Sequence, residues 1–363
     1  MSTVPIIKDD NLRAVVREIV TAAGSEGDEP EQVADNLVYA NLTGHDSHGV
    51  GMVPRYILAV KSGELRPNSH IQVLVDDGAM LVIDGQAGYG QVIGQEAMEM
   101  GIERAREHGV CVLSIRRSFH LCRIGAWGEQ CARAGMVSMH HVNVVGHGGI
   151  VAPFRGSDAR YSTNPYCCVL PATDNNPVTA LDFATSRVAH GKVRVARNKG
   201  EVMAEGTLLD NTGQPTTDPR AIFEGGALRP FGEHKGYGMA FINELLAGVL
   251  SGGGTCRPET DHENDTILNN MLSIIIDPKR LVSPAFYASE MDATIAHVKA
   301  SPAMEPGKPV LVPGDPERAT LAARHRDGIP VDEETWREMV DTAVSVGLER
   351  GHIERLAGLS RAA

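Results

Sequence analysis

Gly88-Tyr89-Gly90-Gln91-Val92-Ile93-Gly94 decides how this chain is to be folded. It lies between an expected strand at 79–84 and an expected helix at 96–108, a context that suits a phosphate loop. The spacing is one residue longer than the dinucleotide fingerprint G-x-G-x-x-G. The strand ending in Asp or Glu about 20 residues later is missing too, because Glu107 falls inside the expected helix. The glycines therefore read as a tight turn that permits close packing, and a Rossmann fold is not supported. Gly252-Gly253-Gly254 and Gly146-His147-Gly148-Gly149 have no helix-start context that would make either a better phosphate loop.

Strands and helices alternate outward from this stretch. The pattern predicts strands at 71–75, 110–115 and 137–144 and a helix at 124–134, with a central strand at 271–276. That alternation predicts an α/β layered domain. Residues 237–250 are apolar on nearly every face and predict a buried helix. Before the alternation, Leu12, Val15, Val16, Ile19 and Ala23 recur at helical spacing behind a possible cap at Asp9 or Asp10. A second helix starts near Pro30 and buries Val33, Leu37 and Ala40. After Asp277-Pro278 the chain returns to helix, and Asp332 is placed to cap a last helix with Trp336, Met339, Val340 and Ala343 inward. Residues 1–75 together with 286–363 are expected to form a helical unit, and 76–285 an α/β unit.

The 363 residues include 34 Lys and Arg against 46 Asp and Glu, a formal charge of -12. An acidic chain without a basic block repels phosphate backbones, which excludes nucleic acid as a partner class. Six cysteines, Cys111, Cys122, Cys131, Cys167, Cys168 and Cys256, form no CxxC pair and read as free thiols in a reducing compartment. The start lacks an apolar signal core, and no apolar run approaches the ~18 residues of a membrane span. A cytoplasmic protein is expected.

Of the fourteen histidines, His70, His108, His297, His325 and His352 sit in polar settings. His140 and His141 are neighbours on a strand and point to opposite faces, so they cannot share a metal. No HxH or HExxH occurs, and no metal site is expected. His45 and His48 flank Ser47 in Gly44-His45-Asp46-Ser47-His48-Gly49. His120 follows an expected strand, where α/β proteins place functional loops. His234 and Lys235 open the apolar helix and suit an anion. Asp182 ends an apolar strand, where a carboxylate can orient an imidazole. Ser47, His48 and Asp182 are not a hydrolase triad: neighbouring side chains diverge, so Ser47 is not expected to meet His48, and no GxSxG elbow occurs.

These residues resemble the malate/L-lactate dehydrogenase family of the non-Rossmann type. The landmarks are Gly44 through Val50 with Tyr56, then Gly90-Gln91-Val92, His120 with Gly125, and Thr163-Asn164-Pro165. Asp182-Phe183-Ala184-Thr185-Ser186, His234-Lys235-Gly236-Tyr237-Gly238 and Pro313-Gly314-Asp315-Pro316-Glu317 complete the set in order. Gly51-Met52-Val53-Pro54 and Val151-Ala152-Pro153-Phe154 look most like its hydroxycarboxylate dehydrogenase B branch. The resemblance implies a mixed-sheet, three-layer α/β fold like that of sulfolactate dehydrogenase, and a homodimer. It implies hydride exchange between a nicotinamide, NAD or NADP, and C2 of a small 2-oxo or 2-hydroxy acid. The α/β unit would carry the cofactor and the helical unit the substrate side. Ser47, His48 and Asp182 match a relay of the imine-reducing branch, and His120 matches a general acid/base of the ureidoglycolate branch. Cofactor contacts would fall on His48, on Cys122, Arg123 and Ile124, and on Ala180, Leu181, Asp182, Phe183 and Ala184. Further contacts would be His234, Lys235, Asn270, Pro313, Gly314, Asp315 and Pro316. Tyr56, Met52 and Arg123 would line the substrate.

Two departures bear on specificity. Many relatives carry Arg where this chain has Met52, so another cation, Arg123 or Arg55, must hold the substrate carboxylate. Cys122 replaces the glycine usual two residues after His120. The expected reaction is reversible 2-oxo acid reduction, with His48 or His120 as proton donor. Reduction of a cyclic imine carboxylate and a catalytically silent dimeric binding protein are the competing readings.

Overall fold

The computed structural model describes residues 4–262 and 266–359. The two ends of the chain meet: β1 (Ile6–Ile7) pairs antiparallel with β12 (Ile329–Pro330). Around this pair, α1 (Asp9–Ala22), α2 (Glu29–Leu42), α3 (Val53–Ser62), α10 (Glu333–Ser345) and α11 (Arg350–Leu356) bury one common core. Leu12, Val15, Val16 and Ile19 face it at helical spacing, as do Val33, Leu37 and Ala40. Asp9 and Asp10 stand in the first turn of α1 and do not cap it. Their charge still complements the helix dipole there. Asp332 caps α10 by accepting from Thr335 N at 3.0 Å, but α11 follows, so α10 is not the last helix.

The main sheet has seven strands in the order β2 (Gln72–Asp77), β3 (Met80–Asp84), β4 (Val110–Phe119), β11 (Leu268–Ile276), β5 (Val137–Val145), β6 (Tyr166–Leu170), β7 (Thr179–Phe183). Only β3 and β4 pair in parallel, so the sheet is mixed. The late strand β11 enters its middle, as its unbroken apolar run anticipates. α4 (Gly90–His108) and α5 (Gly125–Arg133) cover one face. On the other face lies α7 (His234–Glu244), continued by a π-helical turn at Leu245–Val249. The result is three layers. A small three-stranded sheet, β8 (Leu208–Leu209), β9 (Pro215–Thr216) and β10 (Ala227–Leu228), packs with α6 (His190–Lys199) beside it.

The Gly88 to Gly94 stretch is a packing device. A Cβ on Gly90 would stand 2.2 Å from His120 O, and one on Gly94 would stand 2.6 Å from the Trp127 ring. α4 therefore starts at Gly90, six residues before the apolar periodicity suggests. Residues 237–250 correct a second expectation. Phe241 is 50 % exposed and Ile242 48 %, and Val249 and Leu250 are exposed as well. One side of this apolar helix packs on the sheet, and the described chain provides nothing to cover the other. α8 (Pro284–Lys299) behaves alike: none of its residues is buried.

Candidate active site

The Gly44 to Gly49 segment is pinned from below. After α2, Asp46–His48 and Val50–Met52 form two 3-10 turns. Asn41 holds both: its Nδ2 donates to Asp46 Oδ1 at 2.7 Å and its Oδ1 accepts from Val50 N at 2.8 Å. A Cβ at Gly49 would lie 2.1 Å from Asn41 Oδ1, so glycine is required there. Arg324, from α9 (Asp315–Asp327), grips Asp46 with two bonds of 2.6 and 2.9 Å. His48 thus rests on a turn with little freedom.

Ser47 Oγ lies 2.9 Å from His48 Nδ1, which overturns the expectation that the two side chains diverge. In a 3-10 turn a short hydroxyl reaches the ring nitrogen nearer the backbone of the next residue. Facing this pair, the His120 ring stacks on His48 with centroids 5.5 Å apart. Tyr56 OH is 2.8 Å from His120 Nδ1, and Gln91 Nε2 donates to Tyr56 OH at 3.1 Å. Tyr56 is fully buried, so its O–H needs an acceptor, and His120 Nδ1 is the one in reach. With Tyr56 O–H donating to Nδ1, the neutral His120 ring carries its proton on Nε2. Both histidines spend Nδ1 on the protein and leave Nε2 for the cleft.

Cys122 adopts φ +61, the left-handed region that favours glycine. Its thiol donates to His48 O at 2.8 Å, fastening the His120 loop to the His48 turn. Burial pushes the Cys122 thiol up to about 12, so it stays protonated and inert at neutral pH. Burial, and then the charges of His45 and Arg123, push His48 down to about 4. Burial, His48, Arg55 and His147 push His120 well below its ordinary value. Both rings are neutral at neutral pH.

Arg123 and Asp182 lie just beneath. Arg123 is 3 % exposed and donates to Glu129 at 2.6 Å, with Tyr39 under its guanidinium. Its charge is spent inside the protein. Asp182 Oδ2 accepts from Gly125 N at 2.6 Å and so orders the start of α5. No hydrogen bond joins Asp182 to Ser47 or His48, so the expected relay assembles over two of its three members. Burial raises the Asp182 carboxyl, while Arg123 opposes this.

Other expected residues group separately. Val178, two residues before Ala180, Leu181, Asp182, Phe183 and Ala184, approaches Gly314 of the Pro313, Gly314, Asp315 and Pro316 loop. Arg318 bridges the groups, donating to Val178 O at 2.8 Å and pairing with Asp315. Ile124 precedes α5 beside Asp182. His234 and Lys235 sit exposed at the first turn of α7, with the His234 ring 5.9 Å from Phe154. Asn270 is fully buried: Nδ2 donates to Asn143 and Gly254, and Oδ1 accepts from Arg117 N. Both ends of its amide are hydrogen-bonded within the protein. Met52 packs against the helical core. Gln91, a sequence landmark but not an expected site residue, is fully buried at the start of α4 and supports Tyr56 from there. Among the described residues, no group of three or more His, Cys, Asp or Glu is placed to hold a metal.

The sequence profile of the malate/L-lactate dehydrogenase family matches residues 7–340. Hydroxycarboxylate dehydrogenase B of Escherichia coli is 44 % identical over 340 residues, 93 % of either chain. The structure of sulfolactate dehydrogenase from Methanocaldococcus jannaschii superposes with a TM-score of 0.83 at 31 % identity, covering 96 % of this chain and 99 % of that one. Delta1-piperideine-2-carboxylate reductase from Pseudomonas syringae superposes with a TM-score of 0.82 at 27 % identity, covering 93 % and 99 %.

Proposed function

The chain belongs to the malate/L-lactate dehydrogenase family, and we propose that it reversibly reduces 2-oxo carboxylic acids to 2-hydroxy acids with NADH or NADPH. The observation that carries this reading is the stacked pair His48 and His120, each anchored through Nδ1 and open at Nε2.

The proposed nicotinamide site is the border of Cys122, Arg123 and Ile124 with the β7 residues 180–184 and the loop 313–316. Two buried polar atoms there lack partners, the donor Arg123 Nε and the acceptor Glu317 Oε2. A ligand rich in hydroxyl and amide groups suits such a donor and acceptor set. When bound, the nicotinamide supplies or accepts the hydride at C2.

The protein's own groups manage the proton. His120 Nε2–H is placed to donate a hydrogen bond to a 2-oxo group. In the opposite direction, Nε2 accepts the hydroxyl proton from the other neutral tautomer, in which Nδ1–H donates to Tyr56 Oη. Reduction needs a proton on the ring, and the free protein disfavours it there. A substrate carboxylate beside the two rings favours the charged form and raises their pKa. Binding of the acid therefore brings in the proton that the reaction consumes. Arg55 is the cation proposed for that carboxylate, because its charge acts on His120.

Reduction of a cyclic imine carboxylate is the second reading, supported by the Ser47–His48 bond and the likeness to the piperideine-carboxylate reductase. A homodimer is proposed from the uncovered apolar side of α7 and from α8, whose Phe286 is 57 % exposed. A cytoplasmic location fits six free cysteines. No helix of the described residues is long and apolar enough to cross a membrane.

The test is oxidation of NADH and NADPH with oxaloacetate, 2-oxoglutarate, phenylpyruvate, hydroxyphenylpyruvate, sulfopyruvate and piperideine-2-carboxylate. Faster turnover of the cyclic imine than of every 2-oxo acid would move the assignment to the second reading. No turnover and no change in NADH fluorescence on mixing would leave a silent binding protein.

A further inference from the structure

The two histidines of the cleft stand on different supports. The His48 turn is held by Asn41 of α2 and Arg324 of α9. The His120 loop is held by the sheet and its helices. Asn269 Oδ1 of β11 accepts from Leu121 N at 2.8 Å, and Trp127 Nε1 of α5 donates to Leu121 O at 3.0 Å. Just before the loop, Phe119 N donates to Gly88 O at 3.0 Å.

Side chains of this loop divide between two cores. Leu121 and Ile124 are buried between the sheet and its covering helices α4 and α5, whereas Cys122 is buried in the helical core. The left-handed backbone of Cys122, at φ +61, turns its side chain out of step with its neighbours. Residues with a Cβ avoid that region, and glycine enters it freely. The side chain held there ends on His48 O, 2.8 Å from the thiol. Burial keeps the thiol protonated, so it donates throughout the neutral range. Together with the bond between Tyr56 of α3 and His120, it ties the two supports to each other.

We propose that Cys122 is a positioning residue: its thiol fixes the spacing of the His48 and His120 rings, which stack at 5.5 Å, and so serves proton transfer in 2-oxo acid reduction. This rests on the activity proposed above. Backbone strain at a reacting centre persists where the surrounding structure over-determines it. Without the thiol, the His48 turn keeps Asn41 and Arg324 but loses its direct tie to the His120 loop. Proton and hydride transfer are sensitive to a small shift of that kind.

The experiment compares Cys122→Ala, Cys122→Gly and Cys122→Ser with wild type, using the 2-oxo acid of the screen above that turns over fastest. Alanine and glycine both remove the donor; alanine leaves the backbone strain and glycine releases it. Both should lower kcat about tenfold, the weight of one hydrogen bond, with KM and the dissociation constant of NADH within about twofold of wild type. Their melting temperatures should differ while their kcat values agree, which separates positioning from stability. Serine, whose hydroxyl still donates toward His48 O, should restore kcat to about a third of wild type. Wild-type kcat in the alanine or glycine variant overturns the proposal, as does a serine variant no faster than alanine. So do a kcat that follows the melting temperature and a loss of NADH affinity that matches the loss of kcat. If wild type reduces no 2-oxo acid, the activity proposed above fails, and the imidazole nitrogen NMR spectrum then decides the part of the thiol. His48 signals that shift in Cys122→Ala and return in Cys122→Ser support the tie, and unchanged signals overturn it.

Discussion

In the middle of the sheet, His140 has both ring nitrogens occupied, Nδ1 by Ser273 Oγ at 2.7 Å and Nε2 by Ser138 Oγ at 2.9 Å. In the cleft, His48 and His120 have one nitrogen occupied each. Burial lowers all three, His140 to about 3, His48 to about 4 and His120 well below its ordinary value. Depressed basicity therefore does not distinguish a reacting histidine from a structural one. The open valence does: His140 has no group left to offer, and its ring completes a cross-strand hydrogen-bond network. The cleft rings are held through one side only, which leaves an oriented Nε2 open on each.

The strongest way to break this contrast is to remove each ring. His120→Ala should lower turnover by about 10²- to 10⁴-fold with the protein still folded, read by steady-state kinetics and circular dichroism. His140→Ala should leave turnover per folded molecule nearly unchanged. If the two variants lose activity alike, the open nitrogen is not what matters.

His140→Ala should instead cost about 2–4 kcal/mol of stability, because it opens a cavity and strips Ser138 and Ser273 of partners in the core. Urea titration reads this, and a loss below about 1 kcal/mol would show that the two hydroxyls find other partners.

Acid should reveal what the regions share. Each lowered histidine binds its proton in the unfolded chain near its ordinary value of 6.5 and releases it on folding. As pH falls from about 6.5 toward 4, the unfolded state binds more protons and stability drops, by up to ~1.4 kcal/mol per unit per buried ring. The raised carboxyls of Asp182 and Glu29 act in the opposite sense, but the histidines outnumber them. The melting temperature should fall through that window, and a flat profile would contradict burial as the cause.

The smallest effect should come from Tyr56→Phe. It removes the hydroxyl that sets the His120 tautomer and leaves the packing of a fully buried ring. An expected loss of about tenfold in kcat/KM, the weight of one hydrogen bond, should come with an altered pH profile. An unchanged profile would show that the tautomer is fixed elsewhere.

Much of the molecule was legible from local pattern. Apolar spacing placed α1 and α2, the alternation of periods placed the α/β layers, and the unbroken run at 271–276 placed β11 at the centre. The sequence landmarks brought forward Ser47, His48 and His120, which the structure gathers in one cleft. The failures share one cause. Whether the apolar sides of α7 and α8 are covered depends on what packs there, and a helical pattern reports only that a face is apolar. The meeting of Ser47 with His48 depends on a 3-10 turn set by Asn41 and Arg324, which come from α2 and α9. That the Asn270 amide is hydrogen-bonded at both ends is likewise not disclosed by the residue type.

The sequence by itself thus determined the layered α/β fold and singled out histidines whose chemistry suits proton exchange, because periodicity and side-chain chemistry are local properties. Tertiary structure alone decided which histidine nitrogens stay open, which arginine is spent on Glu129, and that the Cys122 thiol meets His48 O. Those outcomes depend on distances between segments far apart in the chain, and folding sets them by satisfying buried polar groups first.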